Sequence, residues 1–221
     1  MANCVSEINE RFKIDGFVVI PDLFQAAECD DVAQSIGALQ STSAGSRLCL
    51  KNRKVRAFAD KLHESPELNG LIPNDYLAVQ CIFFDKCPSR NWLVPFHRDV
   101  HIPLREMIES KMFSDWSVKE NTVFARARND FLDQLVAVRI SLDDSLMDNG
   151  PLRVIPGSHR WADVPDKINE SGLPVIVPKG SGLILNSLLL HASSKMVTDS
   201  RRRILHFLFG PRDLPDGAEW V

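Results

Sequence analysis

The chain contains 221 residues, of which 44% are hydrophobic and 25% are charged, a composition typical of a globular protein with a substantial core. Its net charge is −3 and its pI is near 6.1, so no general electrostatic attraction favours nucleic acid or an acidic membrane surface. The first residues lack the pattern of a secretion signal, and no apolar run is long enough to span a bilayer. We therefore expect a cytoplasmic protein that binds neither nucleic acid nor membranes.

The cysteines are scattered through the chain and form no C-x-x-C pair. They are predicted to be reduced thiols, mostly in the core, rather than a disulfide framework or a zinc-binding knuckle. These residues are Cys4, Cys29, Cys49, Cys81 and Cys87.

Short helices and strands are predicted to alternate in the first part of the chain. Apolar residues at helical spacing predict helices over residues 6–14, 25–39 and 55–62. β-branched and aromatic residues predict strands over residues 17–20, 47–50 and 76–84, and 41–46 has the composition of a loop. Gln80 is a polar residue inside the third of these strands. A buried amide needs a partner, so we expect Gln80 to bond either another side chain or a ligand.

Strands dominate the later part of the chain. They are predicted over residues 94–102, 135–142, 152–155, 174–177, 182–185, 188–191 and 203–209. Residues 103–134 show no clean period, with a possible helix over 106–113 and an irregular stretch over 116–121, and we interpret this insertion as a substrate lid. Helices followed by many short strands predict a mainly β fold with flanking helices, a double-sheet roll or barrel in which residues 1–221 form one domain.

A histidine and a carboxylate stand two residues apart in the strand predicted over 94–102. His97 and Asp99 would point to the same side, because strand side chains alternate, and both could bind one ion. Two histidines and one carboxylate on one face are a common ligand set for iron(II) in oxygenases, and they leave the opposite positions open. His191, at the end of the strand predicted over 188–191, is the candidate for the second histidine.

A basic triplet opens the last predicted strand. Arg202 lies eleven residues after His191, and alternation places it on the same side as His206, with Arg201 and Arg203 on the other side. A guanidinium that points inward there would suit a carboxylate, because its fork matches two oxygen atoms at once. The alternative is that all three arginines form a solvated start of the strand.

These residues in this order resemble the iron(II)- and 2-oxoglutarate-dependent oxygenases. The wider sequence resembles the phytanoyl-CoA dioxygenase family among them, especially its short bacterial members. The segments that carry the resemblance are 15–21, 84–88, 91–99, 148–159, 188–194 and 202–206, so it covers nearly the whole chain. The resemblance implies a double-stranded β-helix, which is a jelly roll of the cupin type, with His97, Asp99 and His191 as iron ligands.

The resemblance also implies residues that bind the cosubstrate. Arg202 would anchor the far carboxylate of 2-oxoglutarate, and Ser193 would provide a hydroxyl partner for the same group. Trp116 and Gln80 correspond to positions beside the cosubstrate in the family.

Four further positions near these motifs have other expected roles. Arg98 stands where the family often has glutamine and is expected to point away from the metal. His101 is too far along the strand to be a third histidine ligand, so we expect it near the ligands or in contact with the substrate. His159 is expected to be structural, and His206 to line the pocket below Arg202.

The activity implied by the resemblance is oxidation of an aliphatic C–H bond, in the first place hydroxylation, with conversion of 2-oxoglutarate and O2 to succinate and CO2. Related halogenases replace the carboxylate at Asp99 with a small residue so that chloride can bind, and its presence favours hydroxylation, or desaturation and ring chemistry by the same oxidant. Aromatic and basic residues in the lid suggest a small-molecule substrate with an acidic group, and we expect a monomer or homodimer. On the residues alone, a zinc-dependent hydrolase with the same ligands, a non-catalytic jelly-roll binding protein and purely structural histidines stay open.

Overall fold

The computed structural model describes residues 2–37, 45–46, 49–165, 168 and 171–221. Three helices precede most of the strands, and a one-turn helix lies later in the chain. Their bounds are α1 (Ala2–Asp15), α2 (Ala26–Gly37), α3 (Arg53–Glu64) and α4 (Asn129–Leu132). The three helices predicted from apolar spacing are therefore confirmed, apart from residues 38 and 39, which lie outside the described residues.

The third helix illustrates how the sequence sets a helix start and a buried face. The Asn52 side chain caps α3 by accepting hydrogen bonds from the backbone N–H groups of Lys54 (2.9 Å) and Val55 (3.4 Å). Phe58 stacks on the ring of Phe24 with 4.0 Å between the centroids. The apolar face of α3 thereby packs on the segment before α2.

Thirteen strands are present in the described part of the chain. They are β1 (Phe17–Ile20), β2 (Gly45–Ser46), β3 (Tyr76–Lys86), β4 (Val94–His97), β5 (His101–Leu104), β6 (Phe113–Lys119), β7 (Thr122–Ala127), β8 (Val136–Ser141), β9 (Leu152–Val154), β10 (Leu173–Pro174), β11 (Gly182–Asn186), β12 (His191–Ser193) and β13 (Arg202–Pro211).

The strands form two main antiparallel sheets and one small one. The larger sheet has the order β1-β11-β8-β13-β3-β2, the second has the order β10-β9-β12-β4, and the small sheet has the order β5-β7-β6. From β3 to β13 the chain passes back and forth between the two main sheets. This winding is that of a double-stranded β-helix, so the predicted jelly roll is confirmed.

The larger sheet is buried on both faces. In β8, Val136, Val138 and Ile140 pack in one apolar cluster with the helices, whereas Ala137 packs in a second cluster between the sheets. A strand with both faces covered needs apolar residues at nearly every position, which explains the continuous run of this strand. Every residue of β8 is buried.

The strand predicted over residues 94–102 is interrupted in the structure. β4 pairs with β12 in the second main sheet, and β5 pairs with β7 in the small sheet. The chain changes sheets over residues 98–100, where the backbone N–H of Asp99 donates to the carbonyl of Ser187 at 3.0 Å. His97 and Asp99 do lie close together, as predicted, but the strand alternation from which this was predicted was wrong, because Asp99 is not in a strand.

The insertion after this segment is a β-structure rather than an irregular lid with a helix. The helix predicted over 106–113 was wrong, because no helix forms there and β6 begins at Phe113. The irregular stretch predicted over 116–121 was also wrong, since β6 and β7 form a hairpin. Its turn residues Glu120 and Asn121 have φ values of 49° and 60°, as a two-residue hairpin turn requires. A register shift between Ser114 and Ser117 disturbs the alternation of β6, which hid the strand from pattern analysis.

Smaller differences concern segment ends. Cys49–Lys51 forms a 3-10 helix instead of the end of a strand over 47–50, of which residues 47 and 48 lie outside the described residues. Residues 41–44 of the predicted loop also lie outside them, and Gly45–Ser46 pairs as β2. The strand predicted over 188–191 is a turn, so His191 begins β12 instead of ending a strand. The strand predicted over 174–177 shortens to β10 and an isolated bridge.

Two further observations concern the thiols and the helices. Cys29, Cys49 and Cys81 are buried free thiols, and Cys87 is a half-buried one. Of the helices in the described part of the chain, none has the length and apolar character that a membrane crossing requires.

Candidate active site

Three potential metal ligands converge between the two main sheets. His97 at the end of β4 lies directly opposite His191 at the start of β12, and their ring centroids are 4.3 Å apart. Asp99 Oδ1 lies 3.6 Å from His97 Nε2, and Asp99 Oδ2 lies 3.5 Å from His191 Nε2. Adjacent ligands of an octahedral ion bound at about 2.1 Å are about 3 Å apart, so small adjustments would bring all three onto one ion.

Backbone carbonyl groups orient both imidazole rings. His97 Nδ1 lies 2.9 Å from the carbonyl of Pro95, and His191 Nδ1 lies 2.9 Å from the carbonyl of Leu189. A carbonyl oxygen can only accept, so each Nδ1 is the donor, and in the neutral ring each Nε2 presents a lone pair toward Asp99. This is the arrangement in which histidine binds a metal, with its second nitrogen held by the protein.

The charges of these groups also suit a metal ion. Burial lowers the pKa of His191 to about 4, so this ring is neutral near pH 7. Burial opposes ionisation of Asp99, but His191, His97 and His206 together hold the pKa of its carboxyl far below the usual range. For His97, burial is outweighed by the neighbouring Asp99, which raises its pKa. A neutral imidazole and an ionised carboxylate are the forms that bind metal.

One turn holds both segments that carry the ligands. Arg98 Nη2 donates to the carbonyl groups of Ser158 and Trp161, each at 2.8 Å, so this guanidinium points away from the three converging side chains. Ser158 Oγ, which is fully buried, accepts a hydrogen bond at 2.9 Å from the backbone N–H of Leu190, next to His191. The turn at residues 156–161 thereby links the H-x-D segment to β12.

Two inward-facing residues of the larger sheet lie behind the carboxylate. His206 Nε2 lies 3.6 Å from Asp99 Oδ2, and Arg139 Nη1 donates to His206 Nδ1 at 3.0 Å. Burial, reinforced by Arg139, lowers the pKa of His206 to about 3. Because Arg139 donates to Nδ1, the neutral ring carries its proton on Nε2, which faces Asp99. Arg139 was not predicted as a site residue, although an arginine inside the apolar run 135–142 is a visible signal.

A second group of polar residues lies at the Arg202 end of β13. Arg202 is 4% exposed and donates at 3.3 Å both to the Asn149 carbonyl and to Ser193 Oγ. Lys86 is 1% exposed, and its Nζ donates to Ser193 Oγ at 2.9 Å and to the Ser194 carbonyl at 2.5 Å. The prediction that Arg202 points inward is confirmed. Lys86 was missed, because the sequence places it in a turn signal at 85–91.

The two buried cations are poorly solvated and repel each other. Burial, together with nearby Arg202 and Arg139, lowers the pKa of Lys86 to about 7. Burial and Arg139 lower the pKa of Arg202 to about 9. Among the described residues no carboxylate forms an ion pair with Lys86 or Arg202. A buried cationic site of this kind fits a carboxylate from outside the chain.

The remaining predicted site residues lie outside these two groups. Gln80 shares the inward face of β3 with Lys86 and lines a cavity of about 630 Å³, and the described residues around that cavity do not include the three converging ligands. Trp116 is half-buried on β6, and its ring meets the Phe113 ring edge to face with 6.4 Å between the ring centroids. The contact of Gln80 and Trp116 with a cosubstrate therefore stays a prediction. His101 is exposed at the start of β5, opposite Arg126.

His159 has a structural environment, as expected. Its Nε2 lies 3.2 Å from the carbonyl of Lys13, and its ring lies against Gly16. The positive φ of 78° at Gly16 and the closeness of this ring leave no room there for a side chain.

Comparisons with known proteins agree with this architecture. The model of the phytanoyl-CoA dioxygenase family matches residues 12–204. The iron/alpha-ketoglutarate-dependent dioxygenase ausU of Aspergillus calidoustus is 33% identical over 76 residues, a segment that covers 33% of this chain and 26% of that protein. The chain thus matches about a quarter of that relative's length.

Solved structures share the fold at low sequence identity. The non-haem alpha-ketoglutarate-dependent epimerase SnoN from nogalamycin biosynthesis superposes with a TM-score of 0.71 at 14% identity, over 96% of this chain and 82% of SnoN. HygX from Streptomyces hygroscopicus with iron bound superposes with a TM-score of 0.67 at 17% identity, over 93% of this chain and 86% of HygX. A further structure of HygX contains nickel and 2-oxoglutarate.

These matches confirm the enzyme class that was predicted from the sequence, together with iron and 2-oxoglutarate as its cofactor and cosubstrate. The family model spans most of the chain, and it includes the three converging ligands and Arg202. The chain therefore belongs to the phytanoyl-CoA dioxygenase family of iron(II)- and 2-oxoglutarate-dependent oxygenases.

Proposed function

We propose that this enzyme hydroxylates an aliphatic C–H bond of a small-molecule metabolite. In the overall reaction, 2-oxoglutarate is oxidatively decarboxylated to succinate and CO2, one atom of O2 enters succinate, and the other enters the hydroxylated product. The observation that carries the proposal is the pairing of convergent His-Asp-His donors with a buried cationic end, at which Lys86 and Arg202 form no ion pair with a carboxylate of the described residues.

The protein groups divide into metal ligands and cosubstrate ligands. His97, Asp99 and His191 would hold the ion on one side, and bound iron(II) would supply the redox chemistry that activates O2. Arg202 and Ser193 would bind the far carboxylate of 2-oxoglutarate and aim its 2-oxo acid end at the open side of the metal site.

A zinc-dependent hydrolase is the second candidate for these ligands. Such an enzyme would use the same three side chains and a bound water. Burial of Arg202 and Lys86 without an ion-paired carboxylate costs folding free energy unless an anion binds there. A zinc hydrolase would have no use for such a site. The cationic end therefore favours the oxygenase.

We also propose a substrate lid and two further cosubstrate contacts. Residues 103–134 would cover the substrate, since β5 begins two residues after Asp99 and leads directly into the small sheet. Trp116 and Gln80 would contact the cosubstrate, supported by the packing of Trp116 on the inner cluster and the inward face of Gln80. Basic residues in this insertion support a substrate with an acidic group.

The cellular setting follows from composition. We propose a cytoplasmic enzyme, a monomer or homodimer, that acts on a small molecule rather than on nucleic acid or at a membrane. The scattered cysteines and the net charge of −3 support this proposal. Light scattering after size-exclusion chromatography measures the oligomeric state, and a species larger than a dimer would contradict the proposed monomer or homodimer.

Spectroscopy and turnover together test the reaction. Anaerobic addition of Fe(II) and 2-oxoglutarate should give a weak visible charge-transfer band, and O2 should then produce succinate. Asp99→Ala should abolish both signals because it removes the ionised ligand between the histidines. Asp213→Ala, at an exposed aspartate, is the matched control. A protein that binds zinc but gives neither band nor succinate would overturn the oxygenase assignment.

A second variant tests the cosubstrate end separately. Arg202→Ala removes a buried guanidinium, so the KM for 2-oxoglutarate should rise by about a hundredfold, equivalent to about 3 kcal/mol. The effect on kcat at saturation should be much smaller. Arg201→Ala, on the opposite face of the same strand start, should leave this KM unchanged. An unchanged KM in Arg202→Ala contradicts the proposed anchor.

A further inference from the structure

Lys86 and Arg202 occupy directly opposed positions on neighbouring strands. They pair in the register of β3 and β13, so their side chains leave the sheet on the same inward face. Ser193 Oγ lies between them, at 2.9 Å from Lys86 Nζ and 3.3 Å from Arg202 Nη2. Two cations thus share one neutral oxygen atom inside the protein.

The hydroxyl of Ser193 is itself oriented as an acceptor for both cations. Ser193 Oγ donates its proton to the Gly150 carbonyl at 3.2 Å, which leaves its lone pairs for Lys86 and Arg202. A neutral oxygen compensates two positive charges poorly. A carboxylate could offer each cation an oxygen of its own together with negative charge.

The nearby acidic residues are committed elsewhere. Asp143 forms three hydrogen bonds to Arg203, and Asp85 binds Arg201 and Arg90 on the outer face. Inside the barrel the additional charged neighbour is Arg139, which lowers the pKa of Lys86 further. No acidic residue in the described part of the chain compensates Lys86.

The position of the Lys86 ammonium is defined by packing. A Cβ atom at Gly150 would lie 2.5 Å from the Ser194 carbonyl oxygen and 3.2 Å from Lys86 Cδ, so the backbone at Gly150 lies close to the lysine side chain. The ammonium also lies 5.1 Å from the centre of the Trp92 ring. The Lys86 ammonium is therefore held in one position, whereas an apolar side chain of similar length would fill the same space without a buried charge.

We propose that Lys86 is a second cationic ligand for the far carboxylate of 2-oxoglutarate, completing with Arg202 and Ser193 a site that places two positive charges on one carboxylate. This inference rests on the proposed function and deepens it. It follows that the enzyme discriminates strongly between 2-oxoglutarate and 2-oxo acids that lack the second carboxylate.

The test compares two ligands that differ only at the far end. Calorimetric titration of the anaerobic Fe(II)-loaded full chain would measure the Kd of 2-oxoglutarate and of 2-oxopentanoate, which has a methyl group in place of the far carboxylate. The variants are Lys86→Met and Lys86→Gln, with Lys195→Met at an exposed lysine as the control. In both Lys86 variants, 2-oxoglutarate should bind at least about tenfold more weakly, whereas 2-oxopentanoate binding should change by less than about twofold.

The Tm of the ligand-free protein distinguishes a ligand-binding lysine from a structural one, because loss of a structural lysine would lower this Tm. Lys86→Met removes a repelled buried charge, so its ligand-free Tm should equal or exceed that of the parent, while the Tm increase caused by 2-oxoglutarate should shrink.

Each outcome separates the two levels of the proposal. A parent enzyme that does not bind 2-oxoglutarate overturns the proposed function. A parent that binds it, with Lys86 variants that bind it equally well or that lose both ligands equally, overturns only the role of Lys86. Failure of both Lys86 variants to fold shows a structural role and also overturns it.

Discussion

Individual residues of the metal site are oriented by the backbone immediately before them. His97 and His191 each direct Nδ1 to the carbonyl group two residues earlier, so the same backbone hydrogen bond orients the ring on both strands. This contact costs no additional side chain, and it determines which nitrogen faces the metal position. Asp99 lacks a strand neighbour and is instead placed by the backbone bond to Ser187.

At the residue scale, the Lys86 site predicts a pH dependence of 2-oxoglutarate affinity. Burial, Arg202 and Arg139 lower the pKa of Lys86 to about 7 in the free protein. A bound carboxylate stabilises the protonated form and raises this pKa, so binding takes up a proton when the pH is above about 7. The affinity should therefore be highest below about pH 7 and fall by up to about tenfold per unit above it.

The groups that face Lys86 do not compete in this range. Arg139 on β8 and Arg202 on β13, whose pKa values are lowered to about 10 and about 9, stay mostly cationic up to about pH 8, and Ser193 on β12 does not titrate. Calorimetry at about pH 6 and about pH 8 measures the effect, because Arg202 keeps most of its charge in that range. The Lys86→Met variant and the ligand 2-oxopentanoate should both give flat profiles. A flat profile for the parent enzyme with 2-oxoglutarate contradicts the prediction.

At the scale of elements, one turn couples two strands that are far apart in the sequence. The turn at 156–161 receives the Arg98 guanidinium from the H-x-D segment and accepts the Leu190 N–H from the segment before β12. Ser158 is fully buried at the centre of this arrangement. A third segment that contributes no ligand therefore supports the placement of the two histidines, in addition to the direct pairing of β4 with β12.

This coupling predicts that Arg98→Ala and Ser158→Ala weaken metal binding without removing a ligand. Loss of groups that position metal ligands costs about tenfold to a hundredfold in affinity, and we expect the lower end for each variant. Competition with a chelator measures the Kd for Fe(II) or Zn(II). Arg160→Ala, at an exposed residue of the same turn, is the control. Unchanged metal affinity in both variants would show that the turn does not position the ligands.

At the scale of the whole molecule, the two apolar clusters meet at the larger sheet. One cluster joins this sheet to α2 and α3, and the other fills the space between the sheets. β1, from the start of the chain, pairs with β11 from its later part. This interleaving supports the proposal that residues 1–221 form a single cooperative domain.

A core substitution in the helical layer tests that proposal. Phe58→Ala removes the stacked partner of Phe24 and should lower the free energy of unfolding by about 3–5 kcal/mol. Calorimetry should still show one transition at a lower Tm, with a calorimetric enthalpy equal to the van't Hoff enthalpy. Leu173→Ala, at a residue that is 51% exposed, should change Tm little. A separate unfolding transition for the helices would contradict the proposal of a single cooperative domain.

Much of the fold and of the candidate site was predictable from local patterns. Apolar spacing identified the first three helices, and β-branched runs identified β3, β8 and β13, because these elements bury long regular faces. The order of the motifs around His97, His191 and Arg202 identified the family. These signals are local, or they depend only on the order of segments along the chain.

The tertiary structure alone decided which polar residues face the same space. The break at 98–100 arises because β4 and β5 pair in different sheets, and no local pattern contains the choice of partner strand. Lys86 and Arg139 become parts of the interior through their register with β13. The sequence by itself determined the family, the jelly roll and the candidate ligands. The cationic site around Lys86 depended on non-local strand pairing, because register sets which face each side chain enters.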